Sequence, residues 1–305
     1  MWFKNLIVYR LPDDWAVSAR ELEEKLALRL LLPCGAFDMQ SRGWVFSSDA
    51  ERYVHTVNGQ HLIALGVDQK LLPGSIIRQV ATERAKEMAK EQGYPVGRRQ
   101  MRELKMRVTE ELRGRALTRK RITYAWIDPT NGWLVVDAAG EARAEELVET
   151  LRDTLGSLQV TLLETERSPS SSLTAWLMLG DAPLTFTIDD DLELQAGDPS
   201  KPTIRYVRHP LDGKEIRNQI QAGMYATRLG LTWKDRVSFV LNEKLHVKRL
   251  DFLLIEKEKP EDGGATNPAE QFDIDFTLMT GELAQLLTDL AAALGSAQAE
   301  QAAAA

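Results

Sequence analysis

Residues Arg98–Arg121 read RRQMRELKMRVTEELRGRALTRKR, ten Lys or Arg against three Glu. Met101, Leu104, Val108 and Leu112 recur at spacings of three and four, which predicts a helix from about Arg98 to Arg113. A second helix is predicted just upstream. Pro73 and Ser75 open it, Ile76, Ile77, Val80 and Ala81 form its apolar face, and Gly93-Tyr94-Pro95 stops it. Two helices joined by so short a turn make an antiparallel hairpin. Each apolar stripe is narrow, so the hairpin calls for a further surface to pack on. Strand patterns lie on both sides of it: Gly43–Phe46 and Gln60–Val67 before, Ile122–Ile127 and Trp133–Asp137 after. The hairpin is therefore expected to interrupt a sheet.

Working outward, Trp2–Leu11 reads as a strand closed by Pro12. Ser18 with Glu21 has the spacing of a capping box, and Leu22, Leu26, Leu28 and Leu30 continue a helical stripe as far as Pro33. Asn58-Gly59 is a hairpin turn signal, and Asp128-Pro129-Thr130-Asn131-Gly132 is another. Glu141–Leu155 predicts an amphipathic helix with Ala144, Leu147, Val148 and Leu151 inward and Gly156 as its cap. Leu158–Leu163 reads as a strand, Ser168–Ser172 as a linker or helix start, and Leu173–Leu179 as a short helix. Leu184–Ile188 and Thr203–Val207 are predicted strands, with Asp189-Asp190-Asp191 as a solvated acidic turn. Asp212–Thr227 predicts a helix, then Arg236–Leu241 and Leu245–Leu254 a strand pair. Glu256–Glu270 reads as a mobile polar loop. Phe272, Ile274, Phe276 and Leu278 alternate with Asp273, Asp275 and Thr277, the pattern of a half-buried strand, before a Leu/Ala-rich helix over Glu282–Leu294. Strands and helices without a regular βα rhythm predict the α+β class.

The chain has 305 residues and a net charge of −7. The quoted stretch alone carries +7, leaving −14 for the remainder. An acidic chain that gathers its positive charge in one place presents it to something anionic. Cys34 is the lone cysteine, so no internal disulfide forms and a reducing compartment is expected. Met1–Leu11 lacks the features of a signal peptide, and no apolar run reaches membrane-spanning length. The expectation is a cytoplasmic protein with no membrane partner.

Signals for catalysis are weak. His55 and His61 flank a turn without further Cys or His nearby, so structural histidines are the simpler account. Asp273 and Asp275 would share a face of a strand, which its wet side explains without a metal. Phosphate-loop, dinucleotide and nucleophile-elbow motifs are absent. No catalytic residue, metal or cofactor is assigned, and an enzyme with dispersed carboxylates stays as a third reading. Basic groups are clearer. Arg113, Arg115, Arg119, Lys120 and Arg121 crowd together; Arg205, Arg208, His209, Lys214 and Arg217 form a second group, and Lys244, Lys248 and Arg249 a third. With no base-reading module beside them, such residues imply phosphate contacts of little sequence preference.

Several blocks resemble one family in order along the chain. They are WFKNLIVYRL at 2–11, LPCG at 32–35, LLPGSIIR at 71–78, LRGRALTR at 112–119, ARAEELVETLRDTLGSL at 142–158 and FTLMTGELAQLL at 276–287. Together they are similar to the RdgC family of recombination-associated proteins. The resemblance implies a non-enzymatic, ring-shaped homodimer that encircles duplex DNA without sequence preference. It further implies a nucleoid location, maintenance of replication forks and restraint of the RecA recombinase, with single-stranded DNA as an additional ligand. The expected parts are a body (1–74 and 117–164), a helical tip (75–116), a base (165–295) and a disordered tail (296–305). The residues assigned to DNA on this view are Arg115, Arg119, Lys120, Arg121, Arg208, His209, Lys214, Arg217, Lys248 and Arg249. Those assigned to the dimer contact are Met101, Leu104, Val108 and Leu117. Two positions depart from the family pattern: Leu117 stands where an aromatic is expected, and His209 where a polar amide is expected. The alternative is a protein-interaction module whose basic hairpin docks an acidic partner.

Overall fold

The structure is a computed structural model and describes residues 2–183, 185–253 and 267–295. It is α+β, as the sequence predicts. In chain order the elements are β1 (Leu6–Arg10), α1 (Ala19–Ala27), β2 (Gln40–Val45), β3 (Val54–Val57), β4 (Gln60–Lys70), α2 (Gly74–Gln92), α3 (Arg98–Arg115), β5 (Thr118–Asp128) and β6 (Trp133–Asp137). There follow α4 (Glu141–Leu155), β7 (Thr161–Leu162), α5 (Pro169–Leu179), β8 (Phe186–Ala196), β9 (Thr203–Tyr206), α6 (Lys214–Gln221), β10 (Met224–Trp233), β11 (Val237–Asn242), β12 (Val247–Phe252) and α7 (Pro268–Ala293).

The strands form one antiparallel sheet in the order β2-β4-β5-β6-β1-β12-β11-β10-β8-β9, with β3 on β4 and β7 on β1. The pairing of β1 with β12 rests on one bridged pair, Leu6 with Val247, whereas β4 and β5 pair continuously from His61–Ile127 to Lys70–Thr118. The hairpin of α2 and α3 thus departs from, and returns to, adjacent strand ends.

Two cores lie on opposite faces of the sheet, as period-two alternation requires. Ile7, Tyr9, Ile63, Leu65, Ala125, Ile127, Leu134 and Val136 pack under α1 and α4. Leu6, Val8, Leu62, Trp126 and Val135 point the other way and join the inward residues of β8, β10, β11 and β12 beneath α5, α6 and α7. On the first face, α1 and α4 pack on the half built from β1 to β6. α7 spans the β1–β12 seam. Its Met279 Sδ accepts from Phe3 N at 3.2 Å, Phe272 stacks edge-on against His55 of β3, and Asp289 Oδ2 accepts from Trp233 Nε1 of β10 at 2.8 Å.

Local chemistry sets many boundaries. Ser18 caps α1 by accepting from Glu21 N. Gly93 and Gly156 end α2 and α4 in the left-handed region that lacks a Cβ penalty. Asn58 and Gly59 both have positive φ, the pair of angles a two-residue hairpin turn needs, and the strand before that turn is β3.

Several expectations are corrected. Phe272–Leu278 is not a strand but the first turns of α7: Phe276, Met279, Leu283, Leu286, Leu287 and Leu290 are buried at helical spacing, while Ile274 and Leu278 are exposed. The predicted helix over Asp212–Thr227 ends at Gln221, and Met224–Thr227 open β10, whose neighbours on both sides outweigh local helix preference. Asp189–Asp191 lie within β8 rather than a turn, Asp189 accepting from the Thr232 hydroxyl and Asp191 pairing with Arg249. α1 stops at Ala27, leaving Leu28 and Leu30 exposed, and Ile76 of α2 is exposed too. The strand over Leu158–Leu163 shrinks to β7. Most of the predicted polar loop, at 256–266, and the tail from 296 lie outside the described residues, and the end of that loop, Pro268–Glu270, forms the first turn of α7 instead.

Candidate nucleic-acid interface

The hairpin holds together through a small core of its own. Leu104 and Val108 of α3 are buried against Ala81 and Ala85 of α2, with Ile77, Val80, Met88, Met101 and Leu112 at the margin. The alanines let the two helices approach closely, and an Arg84–Glu111 ion pair at 2.8 Å crosses between them. Leu104 and Val108 are therefore occupied within the hairpin, Met101 is half-exposed, and Leu117 is 78% exposed.

At its root the hairpin is fastened to the sheet. Leu71 N donates to Leu117 O one step beyond the Lys70–Thr118 pair. Lys70 Nζ donates to Ala36 O at 2.8 Å, Arg113 Nη1 to Phe37 O at 2.9 Å, and Cys34 N to Asp68 Oδ2 at 3.0 Å. The loop around Cys34–Phe37 thereby props the point where β4 leaves and β5 returns.

From this root α3 carries outward a row of cations with few anions. Arg98, Arg102, Lys105 and Arg107 are exposed and make no ion pair among the described residues, while Arg99 pairs with Glu103 at 3.2 Å. At the start of β5, Arg119 and Lys120 are exposed and have no acidic partner among the described residues. They point to opposite faces of the strand. Arg115 is exposed, and its charge helps to hold the Glu111 carboxyl below its usual range, after the larger effect of Arg84. Arg121 differs. Its Nη2 donates to Glu146 Oε2 of α4 at 2.5 Å, and the pair is largely covered.

The second group divides. Lys214 and Arg217 are exposed on α6, which packs by Ile216 into the core under α5 and α7. Arg208 and His209 lie in the turn after β9: Arg208 has positive φ and donates its backbone N to Asp191 Oδ1, and His209 rests against Tyr206. Lys248 and Arg249 of β12 sit on the opposite face from α6, beside the start of α4, where Lys248 Nζ donates to Ala139 O.

On that face, in the half without α1 and α4, a cleft of about 350 Å³ brings together Arg205, Arg228, Lys248 and Arg249 with Asp191 and Glu193. Arg228 was not singled out from sequence, because its neighbours in β10 carry no charge and only cross-strand register places it here. Glu193 stands in register with Arg205 on one side and Arg228 on the other. It pairs with both, at 2.5 and 3.6 Å, and accepts from the Thr227 hydroxyl at 3.0 Å. Burial alone would raise the Glu193 carboxyl, but Arg205, Thr227 and Arg228 outweigh it and hold it below its usual range. Burial pushes the Lys248 ammonium down, and the neighbouring Arg228 charge adds to that, against Glu141.

His55 Nε2 lies 3.0 Å from Asp273 Oδ1 of α7, and His61 Nδ1 lies 3.0 Å from the Thr56 hydroxyl. Both are structural contacts at the β3–β4 turn. Among the described residues, no group of three or more His, Cys, Asp or Glu side chains is placed to hold a metal ion, and no helix is long and apolar enough to cross a membrane.

A family model described as "RdgC: Putative exonuclease, RdgC" matches residues 1–297. The chain is 46% identical over 301 residues to the recombination-associated protein RdgC of Herminiimonas arsenicoxydans, covering 99% of this chain and 100% of that protein. It is 48% identical over 299 residues to the protein of the same name from Dechloromonas aromatica (strain RCB), covering 97% and 98%. A third relative of that name, from Cupriavidus necator, is 48% identical over 295 residues, with the same coverage.

Proposed function

The chain belongs to the RdgC family, and from that premise we propose that it is a duplex-DNA-binding protein without sequence preference, acting in recombination. The observation that carries this reading is the row of exposed cations along α3 and at the start of β5, most without an acidic partner among the described residues, in a chain whose net charge is −7. Such cations repel one another unless an anion relieves them, and a phosphate backbone does so while releasing condensed counterions. Arg115, Arg119 and Lys120 are the leading phosphate contacts. Arg208, His209, Lys214, Arg217, Lys248 and Arg249 extend the interface on both faces of the sheet. Arg121 supports the same strand through Glu146.

The protein acts on this reading as a homodimer that closes around the duplex. Its body is the sheet half under α1 and α4, its tip is 75–116 and its base is 165–295. Leu117 and Phe37, exposed at the hairpin root, supply apolar surface for a second copy, with Met101 further out along α3. Covering duplex in this way restrains RecA without a direct contact, supports replication forks and places the protein at the nucleoid in the cytoplasm. It uses no cofactor and breaks no bond in DNA.

The test is a salt-titrated binding measurement on duplexes of unrelated sequence, with solution mass determined in parallel. The reading expects equal affinity for each sequence, a steep fall with salt, and twice the chain mass. Sequence-dependent or salt-insensitive binding overturns it. Cleavage of DNA with magnesium or manganese present would replace it with the exonuclease description of the family model.

A further inference from the structure

The cleft on the open half-sheet has a charge arrangement that ordinary cross-strand pairing does not call for. A single Arg–Glu pair across two strands is self-sufficient. Here Glu193 is shared by two arginines, from β9 and β10, while Asp191 serves Arg249 and the backbone of Arg208. Lys248 adds a fourth cation beside Arg228 with no carboxylate of its own in the cleft. Four cations thus face two carboxylates, and the excess is concentrated in a concave, partly dry place. Arg205 is 65% exposed, Arg228 51% and Arg249 70%, while Glu193 is 11% exposed at the bottom. The guanidinium groups can therefore turn outward while the carboxylate stays below.

We propose that this cleft is a phosphate-binding site in which Glu193 and Asp191 act as internal stand-ins, holding Arg205, Arg228 and Arg249 until an incoming phosphate group shares or takes them over. The carboxylates keep the arginines ordered in the free protein and set a threshold: a phosphate must compete with an intramolecular anion, so weak or isolated phosphates are rejected and closely spaced ones are accepted. Guanidinium groups suit this exchange because carboxylate and phosphate offer them the same paired-oxygen geometry. The phosphate comes from a nucleic-acid backbone or from a free phosphate compound, and the inference rests on the DNA reading only for the first source.

The experiment uses the full chain, an end-labelled 30-base-pair duplex followed by anisotropy, and inorganic pyrophosphate followed by calorimetry. Glu193→Gln keeps the shape and the Thr227 hydrogen bond but releases both arginines; it is expected to tighten binding several-fold. Arg228→Gln is expected to weaken it several-fold and to lower the slope of log K against log salt by about 1 for the duplex. Asp191→Asn serves as a second release variant should Glu193→Gln melt early. Response of both ligands, or of the duplex alone, supports the site with a nucleic-acid source. Response of pyrophosphate alone supports it with a free-phosphate source. If no cleft variant changes the binding of either ligand, the site is overturned. If in addition the duplex still responds to Arg119→Glu with Lys120→Glu, the DNA reading survives that failure, and if the parent protein binds no duplex it does not.

Discussion

Lys70 and Thr118 are paired in register at the ends of β4 and β5, although residues 71–117 lie between them in the chain. The hairpin is an insertion in a strand-to-strand connection, and its two roots are one strand spacing apart. Replacing residues 72–116 with a two-residue Asn-Gly turn should therefore leave the sheet intact. The expected result is a cooperative melt with unchanged near-ultraviolet tryptophan signal, since Trp44, Trp126, Trp133 and Trp233 all lie in the sheet cores. DNA affinity should fall sharply in the same protein, measured by anisotropy.

Among the described residues Arg119 and Lys120 have no acidic partner while Arg121 pairs with Glu146, so adjacent residues should give opposite phenotypes. Arg119→Glu with Lys120→Glu is expected to weaken binding to every duplex alike and to flatten the salt dependence, with little change in melting temperature. Arg121→Ala is expected to cost on the order of 1 kcal/mol of stability by leaving Glu146 covered and unpaired, a modest figure because solvent still reaches the pair. Its effect on DNA binding at low temperature should be small. Urea melts and binding isotherms on the same samples separate the two.

α7 makes a prediction that a strand in its place would reverse. Phe276→Ala should cost about 3–5 kcal/mol, and Leu278→Ala under about 0.5 kcal/mol, by urea denaturation. On an alternating strand both side chains would share the buried face and both substitutions would be costly.

His55, His61 and His246 all have imidazoles held below the usual value of 6.5, in each case first by burial. The folded state then binds fewer protons than the unfolded chain just below that value. Stability is complete above about pH 6.5 and falls as the pH drops toward the lowered folded values. Urea midpoints at pH 7.5 and 5.5 should differ in that direction, and His61→Gln should narrow the gap.

Asp137 shows the reverse sign. Burial raises its carboxyl above 3.8, although Lys4 N and Asn5 N donate to its Oδ1 at 3.2 and 2.9 Å. Its stabilising share is complete below pH 3.8 and is lost as the pH rises through the folded value. Asp137→Asn keeps an accepting oxygen and removes the charge. It should raise the urea midpoint at pH 7, with the advantage shrinking as the pH approaches 3.8.

Much of this was legible in the residues. Ser18, Gly93 and Gly156 mark helix ends because their chemistry is local, and Asn58-Gly59 marks a turn for the same reason. The hairpin was readable because Met101, Leu104, Val108 and Leu112 have one period. Phe272–Leu278 misled because seven residues fit period two and the longer helical set, Phe276 through Leu290, begins inside them. β10 was missed throughout: its first residues fitted a predicted helix and Arg228–Trp233 were given no element, although Met224–Ala226 pair with β8 and Arg228–Trp233 with β11. The cleft was not legible: Arg205, Arg228 and Lys248 come from three strands, and only register brings them beside Glu193. The free and bound states of Arg119, Lys120 and Arg121 were equally hidden, since Glu146 sits on a different element.

The β1–β12 seam has a mechanical consequence. Between two well-laddered blocks of strands the backbone supplies one bridged pair, Leu6–Val247, and a hydrogen bond from Leu250 N to Lys4 O, so the continuity of the sheet there is maintained largely by side chains. α7 is the splint: it grips Phe3 and His55 on one block and Trp233 on the other. Ending the chain at residue 266 would break no hydrogen bond between strands, yet it should turn one unfolding transition into two and let amides flanking the seam exchange with solvent ahead of those in β4 and β5.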